Sequence, residues 1–186
     1  MDPEGEGGHS ATDETVQRML CGDEDAFRLV YRSVQPGLMR HLAYLVGNDA
    51  EDVAAETWAQ AVRDLATFSG SADAFRGWIS TIGRHRAMDL LRSRARRPVG
   101  EIDAAELMAI PGVESTEGDV LTMVATGEAL ELIATLPPDQ AEAVLLRAVV
   151  GLDAKTAGRV LGKRPGAVRT AAYRGLKSLQ RRISEE

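Results

Sequence analysis

The sequence predicts an all-α protein, two small helical domains joined by an acidic flexible linker. Two observations predict the fold and a third points to its use. Apolar residues recur at helical spacing through most of residues 13–97 and 126–183, and no run alternates as a strand does. Residues 98–125 are instead rich in Pro, Gly, Ser, Thr and acids around one short apolar patch, Leu107–Ile110. A stretch of that length without clear structure is functional or a tether. Charge, finally, is segregated. Residues 76–97 hold seven arginines against Asp89, residues 98–146 hold ten acids and no Lys or Arg, and residues 147–186 hold ten Lys/Arg against three acids. Two basic blocks split by an acidic one fit two nucleic-acid contacts, although the chain as a whole carries −6.

The elements follow in order. Residues 1–12 are polar and Gly-rich and are expected to be disordered. Thr12 or Asp13 caps a first helix with Val16, Met19 and Leu20. Asp23-Glu24-Asp25 opens a second, with Phe27, Val30, Tyr31 and Val34 on one face; Pro36-Gly37 is expected to interrupt or bend it before Leu38, Leu42 and Leu45 resume. Gly47-Asn48-Asp49 ends that helix, and Val53, Trp58, Val62 and Leu65 mark a third from about residue 50 to 66. Residues 68–75 read as a loop. From Ala74 a long helix runs to about Arg96, burying Phe75, Trp78, Ile79, Ile82, Ala87, Leu90 and Leu91, and Pro98 stops it. Residues 126–135 form a helix. Pro137-Pro138 restart the chain, and Ala141, Val144, Leu145, Ala148 and Val149 line the next helix, closed by Gly151. The domains are accordingly placed at 13–97 and 126–186, between a tail (1–12) and a linker (98–125).

Composition narrows the function. Aromatic content of only 4% means that Ala, Leu, Val and Ile build most of the core. There is no bilayer-length apolar run and no signal peptide, and the one cysteine, Cys21, allows no internal disulfide; the cytoplasm is the expected compartment and membrane insertion is not expected. Cys21 with His9, His41 and His85 gives no zinc spacing, and no phosphate loop or nucleophile–base motif stands out. Neither an enzyme nor a cofactor is expected.

The last forty residues carry the most information. A short amphipathic helix around residues 153–161, the turn Gly162-Lys163-Arg164, and a second helix from Pro165 outline a helix-turn-helix. In the second helix Val168, Ala172, Leu176 and Leu179 face the core by spacing. Pro165, Gly166, Arg169, Thr170, Tyr173, Arg174 and Lys177 then point outward, with Arg164 at the N-cap. Small residues at the helix start let backbone approach a groove; Arg takes guanine bidentately, while Lys and Tyr hold phosphate.

Three segments together resemble one family. Ala50-Glu-Asp-Val-Ala-Ala-Glu-Thr-Trp58 looks like the core-polymerase-binding motif of the extracytoplasmic-function (ECF, group IV) sigma factors. Phe75-Arg-Gly-Trp-Ile-Ser-Thr-Ile-Gly-Arg-His-Arg-Ala-Met-Asp-Leu-Leu-Arg92 is similar to their −10 recognition helix. Leu136-Pro-Pro, Gly151-Leu-Asp and the helix-turn-helix resemble their −35 reading domain. The resemblance implies a non-catalytic transcription initiation factor that binds core RNA polymerase through its β and β′ subunits, reads promoter DNA and is held by a cognate anti-sigma factor. It places Asp52 and Glu56, flanked by Thr57 and Ala59, on the β′ clamp. It gives Ser69, Gly70, Ser71 and Ala72 to a pocket for a flipped −10 base, and Arg76, Arg84, His85, Arg92 and Arg96 to neighbouring phosphates and bases. Arg164, Pro165, Gly166, Arg169, Thr170, Tyr173, Arg174 and Lys177 fall to the −35 element. It also gives the acidic run Glu101, Asp103, Glu106, Glu114, Glu117, Asp119 a path along the RNA channel. Departures from the family pattern are Ala55 where Gln is common, His85 for a frequent Asn, and Lys163 and Arg164 at the turn. The alternative is a helix-turn-helix regulator that binds an operator unaided as a dimer, but no heptad seam supports its dimerisation. Disrupting about ten base-pair steps costs on the order of 14 kcal/mol. One stacked, captured base returns only ~1–3 kcal/mol. Such a factor nucleates melting and needs polymerase for the rest.

Overall fold

The computed structural model describes residues 11–96 and 127–185, with side chains placed through Arg182. Thr12 accepts from the Thr15 amide and caps α1 (Asp13–Leu20); Ala11 donates to Ser33 Oγ, so the chain is tied down before that helix starts. Asp23 caps α2 (Glu24–Val46), and a 3-10 turn leads into α3 (Ala50–Asp64). α4 is the longest helix, Ala72–Arg96. After the linker come α5 (127–134), α6 (Pro138–Val144), one π turn (Leu145–Val149), α7 (Ala154–Leu161) and α8 (Pro165–Glu185). No strand occurs among the described residues.

Helices α1–α4 enclose one apolar core in which Phe75 is its largest fully buried side chain. Phe68 meets Phe75 edge-on at 5.2 Å between ring centres, Trp78 lies 5.7 Å from Phe75, and Trp58 6.5 Å. The Trp58 indole N–H donates to Gln35 at 2.7 Å, so the ring is buried without an orphaned donor. Helices α5–α8 enclose two smaller aliphatic clusters. One of these is completed from outside, since Tyr44 of α2 packs against it.

Several expectations are corrected. Pro36 does not interrupt α2. The hydrogen bond it removes is that of the Arg32 carbonyl, and both residues are on the exposed side, where water can take the place of the lost donor. In α3 the buried stripe is Ala50, Val53, Ala54, Thr57, Trp58 and Ala61, so Val62 is left 54% exposed. Tyr31 and Leu91 are exposed rather than buried. The π turn shifts the phase after α6: Val144, Leu145 and Leu146 are all buried and Ala148 faces solvent. In α8 the core stripe is Val168, Ala172, Gly175 and Leu179, and Leu176 is 48% exposed. A Cβ on Gly175 would meet Val144 Cγ2 at 2.7 Å, so α8 approaches α6 as closely as it does because that position has no side chain. The 98–125 linker, with its acidic run and Leu107–Ile110, lies outside the described residues, as do residues 1–10 of the tail.

The α4 and α7 helices touch, as do α2 and the π turn, so the two groups of helices share an interface. No helix among the described residues is long and apolar enough to cross a membrane.

Candidate polymerase and nucleic-acid interfaces

On α3, Asp52, Glu56 and Ala59 are exposed, but Thr57 leaves the expected patch. Its side chain is wholly buried, and its hydroxyl donates to the Val53 carbonyl at 2.7 Å. The buried stripe that places Trp58 inward places Thr57 with it. A cleft of about 280 Å³ opens beside this face, lined by Asp49, Asp52, Val53, Glu56, Arg86, Asp89, Leu90 and Ser93. Arginines of α4 frame it. Arg86 donates two bonds to Gln60 Oε1, at 3.0 and 2.8 Å, and reaches Glu56 at 3.3 Å. Arg94 holds Asp49 at 2.7 Å. The charge pattern of α3 alone gave no sign of these partners, which lie 30 and 45 residues away in sequence.

The loop before α4 is shorter than expected, because Ala72 to Ala74 already belong to the helix. Ser71 caps that helix, its Oγ accepting from the Ala74 amide at 3.2 Å. Ala72 is buried, 6% exposed, and its amide donates to Asp13 of α1 at 2.7 Å. Gln17 of α1 donates to the Gly70 carbonyl at 3.1 Å. Ser69 and Gly70 therefore form the accessible tip of a loop pinned from below, with Phe68 locked against Phe75 and Trp78. Ala72 belongs to the floor of that loop and not to its accessible surface.

Along α4 the basic residues have different surroundings. His85, Arg92 and Arg96 are exposed; Arg92 pairs with Asp89 at 2.9 Å, and Arg96 donates to the Arg92 carbonyl. Arg76 pairs with Asp73 at 3.3 Å. Arg84 is turned into the interface and forks onto Glu142 of α6, at 2.9 and 3.2 Å. Burial would raise the Glu142 pKa. His41, 3.9 Å away and beyond hydrogen-bond length but close enough to attract when protonated, and the Arg84 fork reverse this and lower the carboxyl to about 2. Glu142 also helps raise the neighbouring Tyr44 phenol, after burial itself.

The helix-turn-helix is built from local signals. Asp153 caps α7 by accepting from the Thr156 amide at 2.6 Å, a bond that lowers its pKa. Gly162 ends α7 in the left-handed region, φ 64°. Gly158 lets the turn close, since a Cβ there would lie 2.6 Å from the Lys163 carbonyl oxygen. Lys163 is drawn back to Asp139 at 2.6 Å. Beyond the turn, Arg164, Gly166, Arg169, Thr170, Tyr173, Arg174 and Lys177 are exposed and Pro165 half-exposed, so all eight lie on one accessible surface. Tyr173 is 65% exposed, which suits an interface better than a core. Among the described residues, no ion pair occupies Arg169, Arg174 or Lys177. No group of three His, Cys, Asp or Glu could hold a metal among them either.

Comparison with known proteins meets this geometry at both ends. The model of Sigma-70 region 2 matches residues 30–97, and that of Sigma-70, region 4 matches residues 126–179. The RNA polymerase sigma factor CarQ of Myxococcus xanthus is 30% identical over 91% of this chain and 96% of its own length. This chain belongs to the ECF sigma factors. It is similar to the ECF sigma factor BldN of Streptomyces coelicolor, 33% identical over 93% of this chain, and spans 66% of that relative's length. Among solved structures, the sigma factor RpoE of Bartonella quintana, in complex with the anti-sigma factor NepR, superposes with a TM-score of 0.62 over 87% of this chain and 98% of its own, at 21% identity. That likeness supports the helical fold. ECF sigma factors are non-catalytic transcription factors, and as one of them this chain directs RNA polymerase to promoters.

Proposed function

We propose that this sigma factor divides its work between three surfaces. The exposed carboxylates Asp52 and Glu56, beside the α3–α4 cleft, dock on the β′ clamp of core polymerase. The tip Ser69-Gly70 receives a flipped base of the −10 non-template strand, with Arg76, Arg84, His85, Arg92 and Arg96 along the neighbouring backbone. The open face of α8, from Arg164 to Lys177, reads the −35 element. On this reading residues 13–97 act as region 2 and residues 126–186 as region 4, and the protein works in the cytoplasm without catalysis of its own. A cognate anti-sigma factor is a further expected partner, as RpoE of Bartonella quintana has one in NepR.

The single observation that carries this reading is the α8 face: exposed cations and a tyrosine, with no ion pair among the described residues, on a helix fixed by a glycine-closed turn. An operator binder would use the same face, but it would bind duplex DNA tightly alone with a steep salt dependence. The deciding experiment is binding of the purified chain to sigma-free core polymerase by size-exclusion chromatography with light scattering. A stoichiometric complex is expected, lost when Asp52→Lys is combined with Glu56→Lys while the helical circular dichroism is kept. Full binding by that folded double variant would remove the clamp assignment. The absence of any complex with the unaltered chain would favour the operator binder.

A further inference from the structure

Helix α1 takes no part in the three surfaces, yet two of its side chains reach the loop assigned to the flipped base. Asp13 Oδ1 accepts from the Ala72 amide at 2.7 Å, and Gln17 Nε2 donates to the Gly70 carbonyl at 3.1 Å. The two residues stand one helical turn apart in α1, so they share a face, and both are exposed. We propose that Gln17 and Asp13 are specificity-determining residues of the −10 pocket. They select a captured base that carries an exocyclic amine, cytosine or adenine, against thymine and guanine. The inference rests on the assignment of the Ser69-Gly70 tip to a flipped base.

The loop does not need Gln17 to hold it. Phe68 packs on Phe75 and Trp78, Ser71 caps α4, and Ala72 is tied to Asp13. At the tip a Cβ on Gly70 would meet Ala74 Cβ at 3.0 Å and Phe68 Cζ at 3.3 Å, so the backbone there already lies against its neighbours. The Gly70 carbonyl serves instead to aim the Gln17 amide. One Nε2 hydrogen is used on that carbonyl; the other hydrogen, and Oε1, have no partner among the described residues. Asp13 Oδ2 is likewise free among them. The nearby cation Arg18 is held elsewhere, on Asp23 at 2.6 Å, and leaves the Asp13 carboxylate charged and open.

A flipped base is read along its Watson–Crick edge. Cytosine and adenine present there an amine beside a ring nitrogen that accepts. The amine has two hydrogens, one for Gln17 Oε1 and one for Asp13 Oδ2, and the ring nitrogen takes the remaining Nε2 hydrogen of Gln17. Thymine and guanine put a carbonyl oxygen where the amine would be, facing two acceptors with no proton between them. A site built to hydrogen-bond one group discriminates strongly against an analogue that leaves it unpaired. Charge adds direction. Asp13 and Glu14 open α1 with two carboxylates. These repel a phosphodiester, so the base and not the backbone is what this side of the loop admits.

The test uses holoenzyme reconstituted from the full chain and core polymerase. It is offered a pool of fork-junction DNAs whose −10 non-template strand is single-stranded and randomised, and the bound fraction is sequenced. One position should favour cytosine or adenine over thymine and guanine by about tenfold, and the stronger of the two shows whether a pyrimidine or a purine fits the tip. Gln17→Ala should flatten that position to within about twofold, with the other positions, core binding and helical circular dichroism unchanged. Asp13→Asn keeps an oxygen for the Ala72 amide but turns a donor toward the base, and should admit thymine or guanine at the same position. A preference that survives Gln17→Ala, a loss spread evenly over all positions, an Asp13→Asn variant that still excludes both bases, or a parent that selects thymine or guanine there would overturn the proposal. Ser69→Trp, which fills the exposed tip, separates the inference from the assignment beneath it. If it leaves every position unchanged, the loop captures no base and both readings fall. If it erases selection at one position while Gln17→Ala does not, only the role of α1 falls.

Discussion

Helices α4 and α8 are both assigned to DNA and both carry cations, but they hold them differently. On α4, Arg76, Arg84, Arg86, Arg92 and Arg94 each face a carboxylate within 3.3 Å, and two of those carboxylates come from α3 or the turn before it, one from α6. On α8, Arg169, Arg174 and Lys177 face solvent with no such partner among the described residues. The difference is one of readiness. On the proposed assignment the α8 surface would meet a phosphate or a guanine without first breaking an ion pair, whereas α4 would exchange protein carboxylates for phosphates. A helix whose charges are satisfied at home is a weak non-specific binder, and it gains most when polymerase or promoter supplies a stronger partner.

The contrast can be broken most directly on α8. Arg169→Ala with Arg174→Ala removes two contacts worth ~2 kcal/mol each. We expect transcription from a −35-dependent promoter to fall by roughly three orders of magnitude, with core polymerase binding unchanged; normal output would mean that α8 does not read DNA. Next in size is the Arg84–Glu142 pair. The Arg84 fork holds the Glu142 carboxyl below the ordinary carboxylate range, so the stability it contributes is present above pH 4.5 and is lost as pH falls through the lowered value. Urea midpoints of the parent chain should therefore drop more steeply between pH 5 and 3 than those of Glu142→Gln. Equal slopes would show that the carboxylate, which faces Arg84, His41 and Tyr44, does not bear that load. Smaller still is Arg84→Ala. On the proposed assignment it removes one DNA contact, from a side chain that the protein already holds on Glu142, so promoter output should fall by only about tenfold. A loss as deep as that of the α8 pair would erase the distinction between the helices. The smallest effect belongs to Cys21→Ser. The thiol is exposed on the C-cap of α1, and thermal melting should move by no more than about 0.5 kcal/mol in stability.

Much of the site was legible because its signals are local. The caps at Thr12, Asp23 and Asp153, the turn at Gly162 and the outward face of α8 all follow from residues within one helical turn of each other. Errors arose where two periodicities competed. Gly175 and Leu176 both lie near the α8 stripe, and hydrophobicity favours Leu176. Packing chose Gly175, because only a residue without a side chain lets α8 settle against Val144 and Leu136. Thr57, which the resemblance sets beside the acidic patch, is buried for the converse reason. A threonine looks polar in sequence, but inside a helix its hydroxyl is satisfied by the carbonyl four residues back, and the methyl is free to be buried.

By itself, then, the sequence determined the helices, most of their caps, the helix-turn-helix and the family, since each depends on patterns that repeat every three or four residues or on motifs read in order. Only the tertiary structure decided that Arg84 meets Glu142 across 58 residues, that Arg86 and Arg94 of α4 frame the acidic face of α3, and that Gly37 and Gly77 are notches for the opposite half. A helical repeat specifies which residues share a face; which face meets which is settled by closing the chain, when buried charge must find its partner and small residues admit the nearest backbone.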